Sequence, residues 1–423
     1  MAMRLTQRVL YLLLLSLLTT GCETSTTTDA VRLSGWVSSP SEERLLQQTL
    51  EAFQLRFPAI RVKYEPIPGN YSEKIQLMLG TYTAPDVFYL KGETAPSYMR
   101  YNILMPLNPF LEQDSTFDLQ DFYPFLLQAF KKDSVYYGFP KDFNLYVLFY
   151  NKTMFRNAGL SRPPRTWQEL VEFSKALTVD RNQDGLPEQW GLIIEPSIEM
   201  AMAFVYQNGG RFQKPSGELG ITEPAFLQAL EFYYSLYRQR IAALPTDVGA
   251  AWNGDAFGRG RCAMIFAGAW VIPFLQDNYP QVEYAVAPLP AGKQPGTVAF
   301  TNAYVMPKYC RQPEKAWTLL KYLTGKEGMA QWTSLGLALP ARRSVAEKLG
   351  FYRHPIYKHF MQSTAFARVF QVTYMERWYD DTQATIQAVF FKNTPLRQAF
   401  RDLARRLEKY RLPRNEHTKK ASE

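Results

Sequence analysis

The sixty residues after position 30 alternate between two hydrophobic periods, and this alternation limits the folds open to the chain. Val31 to Val37 and Ile60 to Tyr64 place apolar side chains at every second position, as strands do. Glu42 to Phe57 and Tyr71 to Gly80 place them at helical spacing, and Asp86 to Leu90 predicts a third strand. Strands and helices in this order predict an α/β fold with a parallel, doubly wound sheet.

Aromatic and charged side chains stand where two of these strands end. In doubly wound sheets, ligands bind in the crevice beyond the carboxyl ends of the strands. Trp36 follows the first strand, and Tyr89, Lys91 and Glu93 stand at the end of the third. The sequence therefore predicts that these four residues line a binding site.

The stretch from 137 to 170 carries the most specific pattern of the chain. Leu145 to Tyr150 predicts a buried strand, a short helix follows and ends at Gly159, and Thr166 with Glu169 forms a capping box for the next helix. The order YNK-x-x-F-x-x-AGL-x-x-PP-x-TW-x-EL resembles the family 1 solute-binding proteins of bacterial ABC importers. APDVFYL at 84–90, the turn at 253–264 and the run LALPAR at 337–342 resemble the same family.

This resemblance covers scattered motifs between about residues 31 and 345. The group of proteins that it indicates is similar to the maltose/maltodextrin- and glycerol-phosphate-binding receptors. It implies a two-lobe periplasmic-binding-protein fold, type II-like, with doubly wound sheets joined by about three hinge crossings. The ligand would lie in the cleft between the lobes. The predicted first lobe comprises residues 31–143 and 299–336, the second comprises 144–298 and 337–412, and a disordered tail covers 413–423.

The N-terminus predicts export. Arg4 and Arg8 precede a short apolar core, which is too short to span a bilayer as a mature helix. Residues 1–22 end in LTTGC, which resembles a bacterial lipobox with Cys22 as the lipidated residue, and a plain secretory signal is the alternative. Residues 23–30 are predicted to form a tether, so the protein is expected on the outer face of the bacterial cytoplasmic membrane.

Charge and histidine content argue against two other classes of function. The formal net charge is +9, and much of it lies between Arg397 and Lys420. No nucleic-acid motif accompanies it, so we expect a solvated amphipathic helix and no nucleic-acid partner. His354 and His359 lie near no nucleophile signature such as G-x-S-x-G, and the chain is predicted not to be an enzyme.

One loop resembles a calcium site. Asp180, Asn182, Asp184 and Glu188 follow the D-x-N-x-D-G spacing of calcium loops. Gly191 replaces the bidentate glutamate at the twelfth position, which excludes an EF-hand. A structural calcium ion and a simple Asp/Asn/Gly turn both remain open, and no other cofactor is predicted.

The remaining candidate ligand residues lie at the crossings and in the second lobe. Sugar recognition needs an aromatic face for the C–H side of the ring and polar groups for its hydroxyls. Trp270 follows Gly-Ala, where relatives place a stacking aromatic residue. The full second set is Asp142, Asn144, Trp252, Asp255, Trp270, Asn302, Tyr304 and Trp378.

The leading hypothesis is a monomeric, lipid-anchored receptor that captures a sugar, oligosaccharide or related polyol. It would deliver this ligand to an ABC permease that is driven by a separate cytoplasmic ATPase. A secreted carbohydrate-active enzyme is one alternative, with carboxylates drawn from Glu93, Asp142 and Asp255. A receptor of the same fold for an anion, such as a glycerol phosphate, is the other. Cys262 and Cys310 fall in different predicted lobes and are expected to be unpaired and buried.

Overall fold

The computed structural model describes residues 30–37, 39–372 and 377–409. Its strands are β1 (Val31–Ser34), β2 (Val62–Tyr64), β3 (Val87–Lys91), β4 (Lys131–Lys132), β5 (Val135–Tyr136), β6 (Gly138–Leu145), β7 (Val147–Asn151), β8 (Trp190–Ile193), β9 (Cys262–Ala267), β10 (Tyr284–Ala287), β11 (Thr297–Val305) and β12 (Ala367–Val369). Its α-helices are α1 (Pro40–Arg56), α2 (Tyr71–Gly80), α3 (Ala95–Arg100), α4 (Asn108–Gln113), α5 (Pro124–Gln128), α6 (Lys152–Asn157), α7 (Trp167–Leu177), α8 (Ile198–Gln207), α9 (Pro224–Arg238), α10 (Asn253–Gly258), α11 (Val271–Asn278), α12 (Pro313–Leu323), α13 (Lys326–Trp332), α14 (Arg343–Lys348), α15 (Tyr357–Ser363), α16 (Arg377–Phe391) and α17 (Leu396–Glu408).

The first lobe is built on a sheet of six strands. Its order is β12-β11-β3-β1-β2, and β6 also pairs with β11. The pairs β1–β2, β1–β3 and β11–β12 are parallel, as the strand–helix alternation predicts for the first three strands. Strand β11 runs antiparallel to β3 and β6. The predicted α/β fold is confirmed.

The second lobe is built on a sheet of four strands in the order β10-β7-β9-β8. Only the β8–β9 pair is parallel, and β7 is antiparallel to both of its neighbours. Apolar clusters cover both faces of this sheet: Phe149 and Ile265 belong to the cluster shared with the first lobe, while Phe266 and Phe204 belong to a second one. Alternate residues of a buried strand thus supply both cores.

Three chain segments connect the lobes, and they meet near Tyr146. The predicted single strand Leu145 to Tyr150 is two strands, because the chain passes from the first sheet to the second at Tyr146. The Tyr146 amide donates to the Val298 carbonyl (3.2 Å), which joins this segment to the start of β11. Phe143 and Leu339 exchange two backbone hydrogen bonds of 2.9 and 2.8 Å and bring in the third segment.

Some predictions on domain organisation are left open. The lobe boundaries stay a prediction, although β12 pairs with β11 in the six-stranded sheet and lies outside the predicted first lobe. The signal segment 1–22 with Cys22, nearly all of the tether and the tail 413–423 lie outside the described residues. Within the described ranges, no helix is long and apolar enough to cross a membrane.

Both described cysteines are free. Cys262 is buried at the start of β9, as expected. The expectation of a buried thiol is wrong for Cys310, which is partly exposed beyond β11 where its sulfur contacts Asp86 Oδ1 at 3.4 Å.

Candidate functional site

A β-bulge in β6 shapes the floor between the lobes. Asn302 of β11 pairs with Asp142, whereas the next residue, Ala303, pairs with Pro140, so Lys141 is the extra residue. In a regular strand the side chains of neighbours point to opposite faces. The bulge removes this restriction. Lys141 Nζ therefore reaches Asp142 Oδ2 at 2.6 Å.

The Lys141–Asp142 pair is buried and surrounded by aromatic rings. Only 3% of Lys141 and 5% of Asp142 is exposed. The ammonium lies 3.6 Å from the centre of the Trp332 ring and 4.8 Å from that of Tyr89. Trp332 Nε1 donates to Asp142 Oδ2 at 2.7 Å, and Asn302 lies 3.5 Å from Asp142 Oδ1. Such partners offset the cost of removing two charges from water.

Trp36 forms the exposed part of an aromatic wall above this floor. It is half-buried and meets Tyr71 and Tyr89 edge to face, each at 5.1 Å between ring centres. A side chain at Gly35 would collide with the Tyr89 ring, since a Cβ there would lie 2.3 Å from it. Tyr89 and Tyr304 are buried, with 5.3 Å between their ring centres, and they form the buried part of the aromatic wall.

The Asn144 side chain forms hydrogen bonds with two other segments near the connections between the lobes. Its side-chain oxygen accepts a hydrogen bond from the Ala269 amide (2.8 Å), and its side-chain nitrogen donates to the Leu337 carbonyl (2.9 Å). One buried amide thus fixes β6, the turn after β9 and the third connecting segment at a single point. Much of its hydrogen-bonding capacity is already used inside the protein.

Trp270 stands directly after that turn and faces a cavity between the lobes. Its ring folds back over Gly268, where a Cβ would lie 2.1 Å from Trp270, so this position requires glycine. The ring is half-buried, with Tyr146 and Phe300 at 6.2 and 6.3 Å. The cavity, which we call the Trp270 cavity, measures about 640 Å³. Its lining includes Ser39, Arg44 and Gln48 from the first lobe and Trp270, Phe274 and Asn278 from the second.

A second cavity between the lobes, the Glu93 cavity, has a volume of about 300 Å³. Lys91 and Glu93 of the first lobe face Glu199, Tyr379 and Asp380 of the second. Tyr379 donates its hydroxyl hydrogen to Glu199. Burial raises the pKa of the Glu93 carboxyl, and the charge of Glu199 adds to that rise, while nearby Lys91 opposes it.

Sequence reasoning missed several residues around these cavities. Glu195 lies close to Glu199, and its Oε1 accepts a hydrogen bond from the Asn253 amide (3.2 Å). Burial raises the pKa of Glu195, with Glu199 contributing. Both glutamates follow β8, so the strand-end rule applied to the second sheet would have found them. The contact of Lys141 with Asp142 depends on the β-bulge, and no residue pattern in the sequence predicted this bulge.

Three of the predicted ligand residues are engaged within the second lobe. Asp255 accepts hydrogen bonds from Arg259 and Tyr279, both at 2.8 Å. Trp252 packs against Phe274 with 4.7 Å between ring centres. The ring of Trp378 is 1% exposed at the edge of the Glu93 cavity. Ligand contacts by these residues stay predictions.

The loop at 180–188 is stabilised by hydrogen bonds between its own residues. The amides of Gly185, Asp184 and Arg181 donate to the side chains of Asp180 (2.8 Å), Asn182 (3.0 Å) and Glu188 (2.8 Å). These oxygens therefore already have partners, and Asp180 Oδ1 is the buried oxygen of this loop without one. Among the described residues, no group of three or more His, Cys, Asp or Glu is arranged to hold a metal ion. The arrangement suits a self-supporting turn, and calcium stays a prediction.

A further groove lies away from the cleft. It measures about 570 Å³ and is lined by Trp190, Tyr234, Tyr237 and Phe390 among others. All of the residues that line it lie between Leu186 and Asn393 in the second lobe, so closing the lobes would not enclose a ligand there.

Comparison with known proteins connects this geometry to one family. A family model described as bacterial extracellular solute-binding protein matches residues 39–330, which is more than half of the chain. The arabinooligosaccharide-binding protein of Bacillus subtilis is 23% identical over 77% of this chain and 77% of its own length. The sn-glycerol-3-phosphate-binding periplasmic protein of Shigella flexneri is 22% identical over 74% of this chain and 76% of its own.

Solved structures show the same fold. An ABC substrate-binding protein from Listeria monocytogenes in complex with cycloalternan superposes with a TM-score of 0.79 at 23% identity, covering 90% of this chain and 98% of the other. The sugar-binding protein MalE of Xanthomonas citri gives 0.76 at 22% identity, covering 90% and 97%. At this level of identity the likeness concerns the two-lobe architecture.

Proposed function

Since the chain belongs to the family of bacterial extracellular solute-binding proteins, we propose that it captures a sugar, oligosaccharide or related polyol for an ABC importer. The observation that carries the proposal is Trp270, a partly exposed indole in a cavity whose walls come from both lobes. A ligand in such a place contacts both lobes at once, as a receptor that closes on its ligand requires.

The chemistry of the two cavities favours a sugar. An indole face stacks on the C–H side of a sugar ring, and Ser39, Arg44 and Gln48 provide polar partners for hydroxyls in the same cavity. Carboxylates such as Glu93 and Glu199 accept hydroxyl hydrogens in the other. Several relatives carry sugar ligands in their names, among them the arabinooligosaccharide-binding protein.

An anionic ligand fits the Glu93 cavity less well. The described residues that line it include four carboxylates, those of Glu73, Glu93, Glu199 and Asp380, and one ammonium, that of Lys91. A phosphate group would be repelled by this arrangement. We therefore propose a neutral polyol, even though one relative is named for sn-glycerol-3-phosphate.

An enzymatic function is excluded by the family, whose members are binding proteins rather than enzymes. The site residues agree with this conclusion. Of the carboxylates that the enzymatic alternative needed, Asp142 is bound to Lys141 and Asp255 to Arg259. Glu93 alone of the three faces a cavity between the lobes.

The proposed cycle is a population shift. A sugar that contacts both lobes is bound more tightly when the cleft is shut, so it favours the closed form. The closed receptor then presents the ligand to permease subunits, and a separate cytoplasmic ATPase supplies the energy. We propose that the chain works as a monomer on the outer face of the cytoplasmic membrane, held there by a lipid on Cys22.

A thermal-shift screen against neutral sugars, polyols and sugar phosphates tests the proposal, followed by calorimetry on each hit. We expect a neutral sugar to raise the melting temperature, since a ligand that binds only the folded state stabilises it. The ligand recovered afterwards must be unchanged. Stabilisation by sugar phosphates alone, with affinity that falls steeply as salt rises, would instead favour the anionic alternative.

A further inference from the structure

The last helix presents two opposite surfaces. On α17 the residues Ala399, Phe400, Leu403 and Leu407 are buried against the second lobe. The opposite side is exposed and cationic, with Arg397, Arg401 and Arg405 spaced four residues apart along it. Spacing of four residues places side chains in one row along a helix. We call Lys392, Arg397, Arg401, Arg405, Arg406 and Lys409, all of them exposed, the basic face.

Much of the charge on the basic face is not neutralised by the protein. Arg401 donates to Gln398 (2.9 Å) and Arg406 donates to Thr385 (2.9 Å), and both acceptors are neutral. Arg405 lies 3.7 Å from Asp402 and is 75% exposed, so water weakens this pair. Arg397 pairs with Glu231 at 2.9 Å. Between residues 392 and 409 there are six Lys and Arg against two acids.

An apolar side chain stands beside these cations. Phe391, the last residue of α16, is 56% exposed and directly precedes Lys392. A single exposed apolar residue is ordinary on a soluble surface, so Phe391 is of interest because of its position next to Lys392. The chain also continues beyond the described residues from 410 to 423, where Arg411, Arg414, Lys419 and Lys420 add four cations against two acids. The residues from 392 onward thus hold six of the nine net positive charges.

We propose that the basic face, with Phe391, docks on the surface of a bilayer that contains anionic phospholipids. Phosphate headgroups match a row of arginines, and the boundary below them accepts an aromatic ring. The surface is a convex helix side rather than a concave pocket, which suits a broad charged plane better than a small anion. This contact is independent of the sugar ligand and of any lipid on Cys22.

Vesicle binding tests the proposal with protein that begins at Glu23, which keeps every described residue. We expect binding to vesicles of about seven parts phosphatidylcholine to three of phosphatidylglycerol at about 50 mM salt, and no binding to pure phosphatidylcholine. Binding should fall steeply towards about 300 mM salt, because salt screens exposed charges. Equal binding to both kinds of vesicle would overturn the proposal.

Matched triple variants separate the basic face from net charge. Each cation near an anionic membrane contributes roughly fivefold in affinity, so Arg401→Gln with Arg405→Gln and Arg406→Gln should weaken vesicle binding by about a hundredfold. The control is Arg61→Gln with Lys308→Gln and Lys348→Gln, which removes the same charge from exposed positions elsewhere. We expect the control to bind like the parent. Equal losses in both triple variants would overturn the proposal in favour of a nonspecific effect of charge.

A reporter at Phe391 provides an independent reading that does not require removing any arginine. In Phe391→Trp we expect the emission of the new indole, measured as the difference from the parent protein, to shift to shorter wavelength on anionic vesicles. No shift on vesicles that bind the protein would show that another surface makes the contact. Folding of each variant is checked by its melting temperature, and sugar binding should stay as in the parent. Binding of the parent to a soluble polyanion such as heparin, with none to anionic vesicles, would assign the basic face to a different partner and overturn the proposal.

Discussion

Trp270 is the residue whose removal should separate ligand binding from folding. Trp270→Ala is expected to weaken sugar binding by about 1–3 kcal/mol, the usual loss for one large aromatic contact. The melting temperature of the empty protein should change little, because the ring is half-exposed in its cavity. Calorimetry with the sugar found by screening, together with thermal unfolding, measures both quantities.

Trp378 supplies the matched control for this experiment. Its ring is 1% exposed and lies 5.3 Å from the rings of both Phe212 and Phe370. Trp378→Ala should therefore cost about 3–5 kcal/mol of unfolding free energy, as expected for a large buried side chain. A comparable loss of stability in Trp270→Ala, with sugar affinity intact, would make Trp270 a core residue.

The Lys141–Asp142 pair predicts a strongly non-additive pair of substitutions. Asp142→Asn should destabilise the protein by about 3–5 kcal/mol, because it leaves a buried ammonium without its counter-charge. Lys141→Met combined with Asp142→Asn should recover much of that loss. Urea unfolding of both single variants and the double variant gives the coupling energy. Strictly additive losses would mean that the two charges do not stabilise each other.

The family resemblance led to the prediction of Trp270, whereas nothing in the sequence predicted a role for Lys141, and the reason is geometric. Trp270 follows Gly268-Ala269, and the structure explains this order, since a Cβ at position 268 would collide with the ring. The proximity of Lys141 to Asp142 depends on a register shift between β6 and β11, strands that are far apart in sequence. Alternation along one strand assigns neighbouring residues to opposite faces, and it therefore predicts the reverse of what is found.

At the scale of elements, Arg342 fixes the third connecting segment to the first lobe. It is 2% exposed and donates to the carbonyls of Thr324 (2.6 Å) and Asp118 (2.7 Å). Its guanidinium also lies 3.9 Å from the centre of the Phe122 ring and 3.4 Å from Asp121. Arg342→Met is expected to cost about 3–5 kcal/mol of stability in chemical unfolding, since it breaks a buried pair.

Arg343→Met is the control, because this neighbouring arginine is exposed and its replacement should change stability by less than about 0.5 kcal/mol.

Acid unfolding provides a second test of the Arg342–Asp121 pair. Burial works to raise the pKa of Asp121, but hydrogen bonds from Ser344 and the charge of Arg342 hold it below its usual value. The stability this carboxylate contributes is present above the unfolded pKa of about 3.9 and is lost as pH falls through the lower folded pKa. Arg342→Met should lose less stability over that range than the parent does.

The loop at 180–188 predicts a simple comparison. Calcium bound there should raise the melting temperature above that measured with a chelator, because a ligand that binds only the folded state stabilises it. The same shift should disappear in Asp180→Asn, which removes charge from the side chain of this loop that carries a buried, unpartnered oxygen. Identical melting temperatures with calcium and with chelator would leave the loop as a turn.

Element boundaries were predictable where local signals decide them. The helix predicted from Tyr71 to Gly80 has those bounds in the structure, and the Thr166 hydroxyl accepts the predicted hydrogen bond from the Glu169 amide (3.1 Å). The strand predicted from Leu145 to Tyr150 is interrupted, because Tyr146 lies where the chain changes sheets. Hydrophobic periodicity reports burial and not which sheet provides it, so this break was not predictable from the pattern.

At the scale of the whole molecule, Cys22→Ser distinguishes two ways of attaching the protein to a membrane, the predicted lipid on Cys22 and the basic face. Cys22→Ser should release the protein from membranes at physiological salt without changing its sugar affinity, because the tether is predicted to precede both lobes and is expected to take no part in ligand binding. Fractionation of cells that express the variant, followed by calorimetry, measures both. Retention at the membrane that is lost in high salt would assign the attachment to the basic face instead.

The two-lobe arrangement was predictable through its family resemblance, whereas the content of the cleft was predictable only in part. Trp36, Lys91 and Glu93 were predicted because strand ends converge on a ligand site in such sheets, and Lys91 and Glu93 line the Glu93 cavity. Glu199 and Tyr379 reach the same cavity from segments far apart in sequence, and only the packing of α16 on α8 brings them together. Such convergence is a tertiary property that no single stretch of the chain encodes.

The two free thiols of the described residues also make protein that begins at Glu23 convenient for fluorescence work. Cys262 is fully buried, and burial raises the pKa of the Cys310 thiol to about 12, so neither ionises readily at neutral pH. Dyes that attack thiolates should therefore react first with a cysteine placed at an exposed site. Gln48→Cys would place one label at the rim of the Trp270 cavity without removing either native thiol. The labelled chain would then signal the opening and closing of its own cleft as a change in brightness.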